Sequence, residues 1–77
     1  MEKYYIVKTE EIGNVLVVCS EEFDLGEKGV ESWIRNRYHV NSTEEVTKEE
    51  LNDYRIADVW EVKDYQTYII LTGNYCW

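Results

Sequence analysis

Two short runs of β-type residues, YYIVKT at 4–9 and VLVVC at 15–19, stand on either side of Gly13-Asn14. Such runs flanking a Gly-Asn pair predict a β-hairpin, because the tight turn needs positive φ and these two residues tolerate it. A hairpin therefore opens the fold, and later elements must cover it. Alternation places Tyr4 with Ile6 on one face and Tyr5 with Val7 on the other. Both faces are apolar, so one is partly exposed or covered by a second element.

The covering element follows in the chain. Asp24 and Glu27 make a capping-box-like pair. Val30, Trp33, Ile34 and Tyr38 then recur on one helical face. The spacing predicts a helix over 25–39 that meets the sheet through Trp33, with Glu27, Lys28, Glu31 and Arg35 outward. Gly29 weakens its first turn by about 1 kcal/mol relative to Ala. Thr47 and Glu50 form a second capping box, with Val46 and Leu51 as its hydrophobic staple. They predict a short helix over 48–54. The segment around Glu44, Glu45 and Val46 also reads as a short edge strand. Two more strands are expected at 55–63 and 66–72 with a turn at Asp64-Tyr65, and GNYCW at 73–77 extends the last.

This order predicts an α+β fold. The expected sheet is four-stranded and antiparallel, in ββααββ order, with one main helix packed on one face. Tyrosines and acids would face solvent on the other. The chain reads as a single domain, 1–77, without linker, repeat or low-complexity tract. At 77 residues it buries only about 60% of the surface exposed when unfolded. Three Trp, seven Tyr and one Phe suit such a core, because each aromatic buries a large area at small entropic cost.

Sixteen acidic residues against eight basic ones leave a net charge of −8. That charge repels nucleic acid and anionic membrane, so direct binding to either is not expected and partners should be basic. Solubility is the plainer explanation, since small domains carry net charges of roughly 2 to 8 in magnitude. No apolar run approaches the length of a membrane span, and the first residues do not read as a secretory leader. Cys19 and Cys76 form no CxxC pair and read as free thiols, which fits a cytoplasmic location.

Catalytic chemistry finds little footing. His39, the single histidine, stands at a helix end and reads as a capping or surface residue. A Cys–His dyad would need folding to bring either cysteine to it. One histidine and two separated cysteines make a poor zinc site. No Walker, GxGxxG or GxSxG motif is present. Adjacent carboxylates such as Glu10-Glu11 point apart in extended chain, and EELNDY lacks the ligand pattern of a calcium loop. The expectation is a non-enzyme without cofactor or metal.

The acids fall in two stretches: Glu21, Glu22 and Asp24, continuing to Glu27, and Glu44, Glu45, Glu49, Glu50 and Asp53. Two readings stand side by side. They are solvated caps and loop residues, with Glu49 and Glu50 favoured by the dipole of a helix start. Or they form a surface complementary to Lys and Arg that imitates phosphates, with Tyr54 as a packed anchor. The surplus aromatics divide likewise, between strand formers and interface anchors on an exposed sheet face or edge.

The opening MEKYYIVKTEEIGNVLVV, the segments WIRNRYHV and EEVTKEEL, and the closing DVWEV…YIIL together resemble small acidic proteins of phages and mobile elements. Anti-CRISPR and other anti-defence proteins are among these. The resemblance is one of size, charge and element order, and it assigns no residue a role. It implies a stoichiometric inhibitor that binds a bacterial nucleic-acid-handling protein at a basic groove, for example a CRISPR effector. It would act in the host cytoplasm, as a monomer or homodimer.

Overall fold

A computed structural model of the chain describes residues 2–64 and 66–68. The expected hairpin is present. Strands β1, Glu2–Thr9, and β2, Gly13–Ser20, pair antiparallel from Glu2 opposite Ser20 to Thr9 opposite Gly13. Gly13 holds φ +88°, a conformation open to glycine but strained for other residues. The buried Thr9 side chain closes the turn: its hydroxyl donates to the Gly13 carbonyl (2.8 Å) and accepts from the Ile12 amide (3.3 Å).

Helix α1 spans Gly26–Arg35, shorter than the expected 25–39. Asp24 does not form the expected box with Glu27 as its partner. Leu25 is the N-cap, without a side-chain cap bond. The Asp24 carboxylate instead accepts from the Gly26 amide at 2.9 Å and the Tyr5 hydroxyl at 2.6 Å. After Arg35 the chain tightens, with Asn36 and Arg37 donating to carbonyls three residues back. The apolar stripe falls as the spacing predicts: Val30 and Ile34 are buried, while Trp33 and Tyr38 pack half-buried against the core.

The next strand lies where the sequence offered only a short edge segment. β3, Val40–Val46, pairs antiparallel with the free side of β1, with a shift in register at Lys8/Thr9. A 3-10 helix, Glu49–Asp53, follows in place of the expected helix over 48–54. Its capping box is complete: the Thr47 amide donates to Glu50 (2.9 Å), and the Glu50 amide donates to the Thr47 hydroxyl (3.3 Å).

β4, Ile56–Val62, pairs with β2 in parallel, so the strand order is β3-β1-β2-β4. The sheet is mixed, which corrects the expected antiparallel arrangement. The reason is topological. β2, β3 and β4 run in one direction, so the chain leaving one edge at Val46 must cross the sheet to restart β4 at the other. The expected hairpin after β4 is also corrected, because residues 66–68 are helical. Asp64 caps that turn, accepting from the Thr67 amide on its side chain and the Tyr68 amide on its carbonyl. The remaining residues of that expected strand, 69–72, and those of its extension, 73–77, lie outside the described residues.

The core lies between α1 and one sheet face. Tyr5, Val7, Val15, Val17, Cys19 and Val62 meet Val30 and Ile34. Burial of each such aliphatic side chain stabilises by about 1.5–3 kcal/mol. Trp33 stacks edge-on against Trp60 with ring centroids 4.7 Å apart. The far face is not left to tyrosines and acids. Ile6 there is fully buried and Val46 nearly so, beneath the crossing segment that leads from β3 to β4. The Tyr54 hydroxyl donates to Glu44 on that face at 2.8 Å, and the Asn14 amide group donates to the Arg55 carbonyl.

Candidate functional site

Hairpin register decides where the acids go. β1 begins, and β2, β3 and β4 end, at one end of the sheet. Glu2 therefore stands opposite Ser20, and Tyr4 stands opposite Val46. The turn Glu21–Phe23 leaves from this end and the 3-10 helix enters from it. The two acidic stretches, far apart in sequence, meet there around one open cleft of about 670 Å³. Glu2, Glu21, Glu45 and Glu49 line it, with Tyr4, Lys3 and Lys48. A second hollow of about 580 Å³ shares Glu2 and Glu21 and adds Glu22, Ser20, Phe23 and Lys63.

The predicted residues do not contribute equally. Glu45 projects on the helix face at this end, 3.8 Å from the Lys3 ammonium. Glu49 and Asp53 are exposed on the 3-10 helix. Glu50 is held by Thr47, whose amide and hydroxyl keep its carboxyl below the ordinary carboxylate range. Glu44 has one oxygen on the Tyr54 hydroxyl, and this bond raises the Tyr54 pKa. Tyr54 is thereby fixed to the sheet, half-buried rather than projecting. Asp24 departs most from expectation. Its carboxylate serves Tyr5, Gly26 and, at 3.6 Å, Lys3, so its work is structural. Glu21 and Glu22 are exposed beside the cleft.

Sequence reading overlooked Glu2 and the lysines that frame the cleft. A signal for Glu2 existed: closing the hairpin at Gly13 and counting back along both strands brings Glu2 to the end of β2, where the first acidic stretch, at Glu21, begins. Lys3 is drawn between Asp24 and Glu45, and Lys63 lies 4.0 Å from Glu61. The opposite end of the sheet carries Lys8, Arg55 and the close of α1 with Arg35 and Arg37, together with Glu10 and Glu11 of the β1–β2 turn and Glu31, which pairs with Arg35.

The nucleophile candidate and the base candidate are kept apart. Cys19 is buried at the acid-rich end of β2, and burial raises its thiol pKa. His39 lies at the other end. Its backbone amide and ring Nδ1 meet the two oxygens of Glu11 at 2.9 and 2.6 Å. That pair clasps the β1–β2 turn to the segment after α1, and the Glu10 amide donates to the His39 carbonyl to complete the tie. Cys76 lies outside the described residues. No group of three metal-ligating side chains converges among the described residues. No described helix is long and apolar enough to cross a membrane.

Comparison of the chain with protein-family models, curated proteins and solved structures finds no match.

Proposed function

We propose that this chain is a non-enzymatic acidic binding protein, a stoichiometric inhibitor of the anti-CRISPR or other anti-defence type. It occupies a basic nucleic-acid-binding surface of a bacterial protein. One observation supports this above others: acids from β1, the turn after β2, β3 and the 3-10 helix surround one cleft at a single end of the sheet. Carboxylates held on four separate elements keep their mutual spacing, as phosphates on a duplex do. A groove built to hold nucleic acid with Lys and Arg is complementary to such a surface, and opposite charge speeds the encounter.

Immobilised chain exposed to bacterial lysate tests this reading. At low salt it should retain nucleic-acid-binding proteins, release them at high salt, and lose them to added duplex DNA or RNA. The double variant Glu21→Lys, Glu49→Lys, which reverses two acids that line the cleft, should retain far less. Capture that ignores salt, competitor and both reversals would refute the reading. Glu50 is a poor choice for reversal, because it also caps the 3-10 helix.

A second reading rests on the half-buried cluster of Trp33, Tyr38 and Trp60, with the Arg37 guanidinium 5.7 Å from the Tyr38 ring centroid. These residue types anchor protein interfaces. A small interaction module using them would bind almost independently of salt and lose its partner on Trp60→Ala.

A further inference from the structure

β4 is an edge strand among the described residues. It has seven residues, contains no proline, and leaves Ala57, Asp58, Val59 and Glu61 exposed. Val59 is 50% exposed. An edge of this kind offers unpaired backbone groups to any further strand. Here one group is already taken: the Val59 amide donates to Oδ1 of its neighbour Asp58 at 2.9 Å. The second oxygen, Oδ2, accepts from the Trp60 indole at 3.0 Å. Trp60 is itself held by Trp33 and Tyr38. The carboxylate is thus fastened across the middle of the edge.

Val59 is also the centre of a self-complementary register. If β4 of a second copy paired antiparallel about a two-fold axis at Val59, Val59 would face Val59. Asp58 would face Trp60, Ala57 would face Glu61, and Ile56 would face Val62. No acid then meets an acid, and a symmetric contact of this kind closes upon itself. The central pair would exchange two hydrogen bonds through the Val59 amides, the groups Asp58 occupies.

We propose that Asp58 is a built-in block on β4, which keeps the edge from adding the β4 strand of a second copy. The block works by occupying the Val59 N–H and by presenting a negative charge to an incoming carbonyl oxygen. This holds whether or not the acidic cleft binds the partner proposed above.

Sedimentation of the purified chain tests it. Wild type should remain at monomer mass as concentration rises. Asp58→Ala should approach twice that mass over the same range. Asp58→Val, which removes both the acceptor and the charge while supplying a good strand former, should shift in the same direction and covers the case that the alanine variant folds poorly. Adding Val59→Pro to Asp58→Ala removes the amide and should restore the monomer, since proline is tolerated at an outward-facing edge position. Folded Asp58→Val that stays monomeric, wild type that is already dimeric, or a dimer that survives Val59→Pro would each overturn the proposal.

Discussion

Tyr5 is 2% exposed, yet its hydroxyl reaches a carboxylate, and Asp24 answers it at 2.6 Å. Burial and the adjacent Asp24 charge raise the phenol pKa well above its ordinary value. Removing the hydroxyl leaves Asp24 with the Gly26 amide and Lys3. Hydrogen bonds to charged groups contribute about 1.5–3 kcal/mol, and Asp24 keeps some solvent contact. Tyr5→Phe should therefore destabilise by about 1–2 kcal/mol in urea unfolding, without altering the acidic cleft. The His39–Glu11 clasp gives a pH prediction at the same scale. The bond from His39 lowers the Glu11 pKa below 4.5. The bond to Glu11, with Glu10 nearby, raises that of His39 above 6.5. A lowered acid contributes stability above its unfolded pKa and loses it as pH falls through the folded value. A raised histidine contributes below its unfolded pKa and loses it as pH rises through the folded value. The clasp is strongest between about pH 4.5 and 6.5. His39→Ala should flatten the stability profile across the histidine titration, measured by thermal melts at several pH values. An unchanged profile would mean that the pair is idle.

Among the elements, α1 depends on a narrow apolar stripe. Ile34 is fully buried among Tyr5, Val7, Val15 and Val17. Its truncation leaves a cavity that the surrounding strands cannot readily fill. Ile34→Ala should cost about 2–5 kcal/mol, and denaturant titration with an unchanged slope would confirm it. The 3-10 helix depends instead on its cap. Thr47→Ala removes the hydroxyl that accepts from the Glu50 amide, and loss of such caps costs about 0.5–2 kcal/mol. This was the most legible element, because a capping box is a local pattern and its two bonds form within four residues. The hairpin was legible for the same reason. β3 was not. Its sequence, VNSTEEV, buries only Val46 and shows no apolar alternation. It is a strand because its backbone completes the free side of β1. That information belongs to the partner.

At the scale of the whole molecule, the net charge of −8 works against the compact state while favouring a basic partner. Salt therefore acts in opposite directions on the two. Raising ionic strength should increase the melting temperature by screening self-repulsion, and should weaken capture of any partner held by the cleft. A melting temperature that falls steadily with salt would show that ion pairs such as Lys3 with Asp24 and Glu45 outweigh the repulsion.

By itself the sequence determined the opening hairpin, the buried face of the helix, the Thr47–Glu50 box and the α+β class. Each follows from residues within one or two turns of one another. Tertiary structure alone decided the direction and neighbours of β4, the existence of β3 as a full strand, and the meeting of Glu2, Glu21, Glu45 and Glu49. Strand direction depends on where a crossover delivers the chain, and side chains do not encode it. Proximity of distant acids depends on register, which a one-residue shift would reverse.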